Sequence, residues 1–171
     1  MTPDVNVLIA AYRDDHPHHH VARAWLTDAL NECAEGGTLE ILPMVAAGFL
    51  RIVTNRRAFR VPAPVAAAIT FLRNMLGIPG VTMPALSNEW ATLEKLCDEF
   101  DLAGNQIPDA WIAATIRTNG LRLVTFDAGF GRWLHPSEWM LLEGRGGIQE
   151  RRGSYVVRRM GRTRAKATAR F

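Results

Sequence analysis

Asp4-Val-Asn-Val-Leu-Ile9 opens the chain, and its reading decides the fold. Val5, Val7, Leu8 and Ile9 favour extended backbone, and the run is too short to carry a helical repeat. A strand is therefore expected here. A strand that starts so close to residue 1 is expected to be central in its sheet and paired in parallel.

Working outward, Arg13-Asp-Asp-His-Pro17 reads as a turn. From Pro17 to about Cys33, Val21, Ala24, Trp25, Ala29 and Leu30 recur at helical spacing, and Gly36-Gly37 ends the segment. Leu39 to Leu42 is a candidate short strand. Met44 to about Thr54 is a helix with Val45, Phe49, Ile52 and Val53 on its apolar face. Val61-Pro-Ala-Pro64 breaks the chain, and Val65 to Leu76 is again helical. Val81-Thr-Met83 is a candidate strand, and Ser87 is placed to cap a helix running to about Leu102. A last helix is expected from Pro108 to about Asn119, with Gly120 as its C-cap. Leu121 to Thr125 and Trp139 to Leu142 complete the strands. Alternating strands and helices imply an α/β sandwich around a mostly parallel sheet.

Composition bounds what such a fold does. The chain has 171 residues, 48% of them hydrophobic, which suits one domain with a sizeable core. Its longest apolar run, Ile41 to Leu50, has ten residues and contains Pro43, against about 20 for a membrane span. Cys33 and Cys97 lack metal-site spacing, and with no targeting segment visible a cytoplasmic protein is expected. The net charge of +3 conceals an asymmetry. Nine of the 20 Lys+Arg and one of the 17 acids lie from Gly144 onward, so residues 144–171 carry +8 and residues 1–143 carry −5. Residues 1–143 are expected to be the folded domain, and 144–171 a flexible basic tail that either holds the phosphates of a polyanion, docks on the acidic body or does neither.

Three acids stand where ligands bind in an open parallel sheet, at strand ends and at helix starts facing them. Asp4 flanks the first strand, Asp109 opens the helix Ile107-Pro-Asp-Ala-Trp-Ile-Ala-Ala114, and Asp127 follows the strand Leu121-Arg-Leu-Val-Thr125. Carboxylates brought together repel, and a bound Mg²⁺ removes that cost while using one or two of them plus a substrate phosphate. The dipole of its helix is expected to hold Asp109 ionised. Each acid also has a plainer role. Asp4 can simply flank a strand, Asp109 can be a helix-start acid, and Asp127 can serve the turn into Ala128-Gly129. His16, His18, His19 and His20 read as an exposed helix entry rather than a metal site.

The three segments together resemble the PIN-domain family, and within it the VapC toxins of bacterial toxin–antitoxin pairs. Asp4-Val-Asn-Val-Leu-Ile resembles the family's opening motif, Pro108-Asp-Ala-Trp-Ile-Ala-Ala its second segment, and Leu-Val-Thr125-Phe-Asp127-Ala-Gly-Phe130 its closing one. His18-His-His20 with Ala24-Trp25-Leu26 is similar to the second element of many VapC chains. Order and separations match over residues 1 to about 142.

The resemblance implies a three-layer α/β/α sandwich and a Mg²⁺-dependent endoribonuclease, with Mn²⁺ able to substitute. It implies in-line attack of a metal-activated water on a phosphodiester, leaving 5′-phosphate and 3′-hydroxyl. Asp4, Asp109 and Asp127 would be the catalytic metal ligands. Asn6 and Thr125 would hydrogen-bond that shell, and Arg51 would meet phosphate. A cognate protein antitoxin, an RNA substrate and a homodimer are the implied partners. One departure stands out. The family usually places a Glu in the helix spelled here Ala46-Ala-Gly-Phe-Leu-Arg51, and this chain has Gly48, with no acid between Glu40 and Glu89. That loss supports two alternatives: a catalytically silent RNA- or partner-binding module, and an RNA-processing nuclease without an antitoxin.

Overall fold

The computed structural model describes residues 1–86 and 88–143. The tail and the capping role expected of Ser87 lie outside the described residues. In chain order the elements are β1 (Thr2–Pro3), α1 (Val5–Tyr12), α2 (His19–Ala34), β2 (Leu39–Glu40), α3 (Pro43–Val53), α4 (Val65–Leu76), β3 (Val81–Thr82), α5 (Trp90–Phe100), α6 (Gln106–Asn119), β4 (Leu123–Thr125) and β5 (Trp139–Leu141). A 3₁₀ turn covers Ala128–Arg132.

The opening segment corrects the expectation drawn from it. Residues 5–12 are a helix, and the strand is only the two residues before it. Asp4 is the N-cap: its side chain accepts from Val5 N–H at 2.6 Å, and its carbonyl accepts from Val7 and Leu8 N–H at 3.1 and 3.2 Å. Val7, Leu8, Ile9, Ala10 and Ala11 are all fully buried, so α1 is apolar all round. A helix with no polar face shows no 3.6-residue pattern, and its β-branched residues mimic a strand.

The parallel pairing expected from the alternation is observed, in a three-stranded sheet ordered β1-β4-β5 and a two-stranded sheet of β2 and β3; β1 lies at the edge of its sheet, not at the centre where it was expected. β1 pairs in parallel with β4, β4 with β5, and β2 with β3. Glu40 N–H donates to Met1 carbonyl at 2.8 Å and ties β2 to the start of β1. Thr2 N–H donates to the carbonyl of Arg122, just before β4, at 2.9 Å and Asp4 N–H to that of Val124 at 2.8 Å, so the missing N–H of Pro3 falls between two ladder bonds. α1 packs on α2, α3 and β4, α3 also meets α4 and α6, and α5 pairs with α6. Phe49, Phe130, Leu8, Ile9 and Leu39 lie among the largest fully buried side chains of the single core they share. α6 starts two residues earlier than its proline signal suggests and ends at Gly120, which takes φ +62°. Among the described residues, no helix is long and apolar enough to cross a membrane.

Candidate active site

β1 and β4 run side by side in the same direction, so both deliver their carboxyl ends to one edge of the sheet. Asp4 leaves the end of β1, and Thr125, Phe126 and Asp127 leave the end of β4. Asp109 stands in the first turn of α6. Placement of Asp4 and Asp127 at that edge is thus a product of topology, whereas Asp109 is tied to it by charge, lying near enough to act on Asp4 and to be acted on by Asp127.

The Thr125 hydroxyl is the hub. It is fully buried, accepts from Asn6 Nδ2 at 3.0 Å and from Asp127 N–H at 3.0 Å, and donates to Asp4 Oδ2 at 2.7 Å. With both lone pairs used, its proton has one direction left, toward Asp4. Asn6 closes the ring by accepting from Phe126 N–H at 3.2 Å. Asp127 Oδ1 accepts from Gly129 N–H at 2.7 Å, the turn role that its sequence context suggested. Asp109 makes no hydrogen bond among the described residues, so both its oxygens are open.

Charge at this edge is costly. Asp4 is 5% exposed, and burial pushes its carboxyl up to about 7, helped by the negative charges of Asp109 and Asp127 and opposed by the bonds from Thr125 and Val5. Burial also lifts Asp109 to about 6, with Asp127 adding repulsion. The α6 dipole, expected to hold Asp109 ionised, is opposed here: the group still ionises by neutral pH, but less readily than an ordinary Asp. A helix end offers a few tenths of a kcal/mol to about 1 kcal/mol, and desolvation with a like charge outweighs it. The only ion pair among the described residues, Arg13–Asp15, involves none of the three acids.

Thr125→Val tests the hub. Valine keeps the shape, but Asp4 Oδ2, Asn6 Nδ2 and the Asp127 N–H each lose their partner. A cost of about 3 kcal/mol in urea denaturation is expected, since each stranded buried group costs ~1–3 kcal/mol. Thr125→Ser should recover most of it. A loss below about 0.5 kcal/mol for the valine variant would show that the hub holds nothing together.

Arg51 is exposed in the last turn of α3 and makes no hydrogen bond or ion pair among the described residues. Gly48 lies against Val5, the residue after Asp4: a Cβ built there would come within 2.9 Å of Val5 Cγ2. The histidines depart from an exposed helix entry. His18 stacks on Phe126, ring centroids 4.6 Å apart at 18°, and His19 Nδ1 meets the Ala10 carbonyl at 2.9 Å. The stack places His18 next to the acid edge across 108 residues of chain, a contact for which the sequence carries no signal.

Comparison with known proteins follows the same lines. The PIN domain model matches residues 1–133. The chain is 39% identical over 132 residues to a protein named Ribonuclease VapC31 of Mycobacterium tuberculosis, covering 76% of this chain and 90% of the relative. It is 33% identical over 139 residues to Ribonuclease VapC43 of the same organism, covering 78% and 92%. Among solved structures it resembles VapBC2 from Rickettsia felis bound to a DNA fragment from their promoter, at TM-score 0.56 and 17% identity over 83% of this chain and 98% of that one. It also resembles Mycobacterium tuberculosis VapC20, a Sarcin-Ricin loop cleaving toxin, at TM-score 0.54 and 17% identity over 77% and 92%.

Proposed function

The chain belongs to the PIN-domain family, and from that premise we propose that it is a Mg²⁺-dependent endoribonuclease, the toxin of a VapBC-type toxin–antitoxin pair. One observation carries the reading: the buried carboxyl of Asp4 and the half-buried one of Asp109 stand with Asp127 close enough for their charges to act on one another, and burial and those like charges make both Asp4 and Asp109 costly to ionise.

The donor set fits a divalent cation in a particular way. Among the described residues, no three His, Cys, Asp or Glu side chains form a ready-made cage for a metal. The acids nevertheless carry charge that burial and like neighbours oppose, and a cation would relieve both. Mg²⁺ commonly takes one or two carboxylates, several waters and a substrate phosphate, and needs no cage. Asp4 and Asp109 are the proposed principal ligands, with Asp127 a further ligand or an orienter of water; Mn²⁺ is expected to substitute. When bound, the ion supplies Lewis acidity at the phosphoryl group and compensates the charge that develops there.

The protein's own part is positioning. Thr125 turns Asp4 Oδ2 and the Asp127 backbone into one rigid unit, and Asn6 locks the Phe126 backbone beside it. Asp109 presents both oxygens from a helix start. Arg51, exposed in the last turn of α3, is the proposed phosphate contact. Hydrolysis then adds a water oxygen to phosphorus and breaks the bond to the 3′-oxygen, which leaves as a hydroxyl and releases a 5′-phosphate. A protein antitoxin that covers this edge, a homodimer and a cytoplasmic location complete the proposal, supported by the VapC names of the relatives.

Gly48 favours a second reading, a silent binding module, because Val5 fills the space beside it. Purified, antitoxin-free protein incubated with total cellular RNA separates the two. Cleavage in Mg²⁺ that EDTA abolishes is expected. Intact RNA after incubation of folded protein with either Mg²⁺ or Mn²⁺ would leave the silent module standing.

A further inference from the structure

Charge within residues 1–143 is segregated. Between Ile41 and Asn88 there are five arginines, Arg51, Arg56, Arg57, Arg60 and Arg73, and no lysine or acid. The rest of residues 1–143 holds six basic and 16 acidic side chains, so a +5 segment sits in a −10 body. A polyanion approaching acidic catalytic groups needs a local positive landing place.

Three of the arginines, Arg56, Arg57 and Arg60, lie on the loop between α3 and α4, and all three are exposed. The loop is built, not slack. Asn55 Oδ1 accepts from Arg57 N–H at 2.8 Å, and its carbonyl accepts from Ala58 and Phe59 N–H at 3.0 and 3.1 Å. Ala63 N–H donates back to the Val53 carbonyl at 2.8 Å and closes the base. Arg13, at the end of α1, lies over the Phe59 ring at 4.3 Å and donates to the Val61 carbonyl at 2.9 Å. Arg13 is already paired with Asp15, whereas Arg56, Arg57 and Arg60 have no ion pair among the described residues.

We propose that this braced loop is the RNA landing surface of the protein, with Arg56, Arg57 and Arg60 taking backbone phosphates while the strand reaches the acids. The proposal rests on the reading of the chain as a ribonuclease and adds the residues that hold its substrate. Two features favour RNA over another partner. All the charges are guanidinium groups, whose planar fork matches phosphate oxygens. The loop is also tied to the far end of the helix that Asp4 caps. α1 has eight residues, about 12 Å at 1.5 Å each, a distance that one RNA strand spans with a few nucleotides. Val61, Val65 and Ile69, exposed beside the loop, carry no charge and do not enter the proposal.

The test uses the full chain and a fluorescein-labelled single-stranded RNA of mixed sequence. Binding is measured in EDTA across a KCl series for wild type and for the triple variant Arg56→Gln, Arg57→Gln, Arg60→Gln. Removing three phosphate contacts should lower the slope of log K against log salt by about 2. Affinity should fall about tenfold or more at 0.1 M salt. In Mg²⁺ the triple variant should raise KM and leave kcat within about twofold, the signature of lost uniform binding. The charge-keeping triple Arg56→Lys, Arg57→Lys, Arg60→Lys should keep the slope, and Arg23→Gln with Arg117→Gln, two exposed arginines elsewhere, should leave it unchanged. A wild type that cleaves RNA beside a triple variant with wild-type slope and KM would overturn this assignment alone. A wild type that neither binds nor cleaves RNA would overturn it together with the ribonuclease reading.

Discussion

Asp109→Asn is expected to lower RNA cleavage by on the order of 10³-fold, the equivalent of about 4 kcal/mol at the transition state. The substitution keeps the size of the side chain and its place in the first turn of α6. Of the three site acids it removes the one with no hydrogen bond to either oxygen among the described residues. Asparagine offers a single neutral oxygen where a divalent cation takes an anionic one, and hard cations bind carboxylates in preference. Binding of RNA in EDTA should be retained, because no phosphate contact is touched and one negative charge is gone. The comparison is made by initial rates on the same RNA at saturating Mg²⁺. A variant that cleaves within tenfold of wild type would remove Asp109 from the metal and leave it as a helix-start acid.

The second large effect is on stability, and its sign is unusual for a protein rich in carboxylates. Asp4 and Asp109 titrate near 7 and near 6 in the folded chain, against 3.8 for an ordinary Asp. The unfolded chain therefore gives up these protons first. Without divalent metal, the stability attached to the two groups is whole below about pH 4, is lost as pH rises toward 7, and stays lost above it. Asp4 alone is worth up to about 4 kcal/mol at 1.36 kcal/mol per pH unit, and the coupling to Asp109 makes the pair's total a matter of several kcal/mol. Thermal melts in EDTA should thus fall by roughly 10 °C between pH 4.5 and pH 8 on this account. Asp109→Asn should flatten much of that fall, since it removes one group and part of the repulsion on the other. Adding Mg²⁺ should raise the melting temperature at pH 8 and do little at pH 4.5, where the carboxyls keep their protons. Wild type that melts higher at pH 8 than at pH 5 in EDTA would contradict the account.

Legibility in the sequence followed burial. α2 to α6 each expose one face, so apolar residues recur with helical spacing, and Gly120 marks an end because only a left-handed residue fits there. α1 defeated the same reasoning because Val7 through Ala11 are all fully buried and leave no periodicity. The acids were legible because they sit at strand and helix ends, which short-range signals mark. Their protonation was not, since Asp4 is raised chiefly by burial, which only the fold creates, with Thr125, Asp109 and Asp127, all more than 100 residues away, acting on it as well. The Thr125 hub was half visible: Thr-x-Asp shows the spacing, while the bonds to Asp4 and Asn6 exist only once β1 lies beside β4. The stack of His18 on Phe126 belongs wholly to tertiary structure.

The contact between Gly48 and Val5 bears on how this lineage can change. A single codon change that put glutamate at position 48 would meet a γ-branched carbon of Val5 at 2.9 Å, on a side chain whose rotamers in a helix are few. From the present sequence a fourth acid needs a smaller residue at position 5 beforehand or at the same time, and that smaller residue alone would leave unfilled the space Val5 now occupies beside Gly48. Each first step is thus at a disadvantage by itself. The glycine and the valine work as a latch: neither is easily exchanged without the other, so an acid at position 48 is hard to build one mutation at a time.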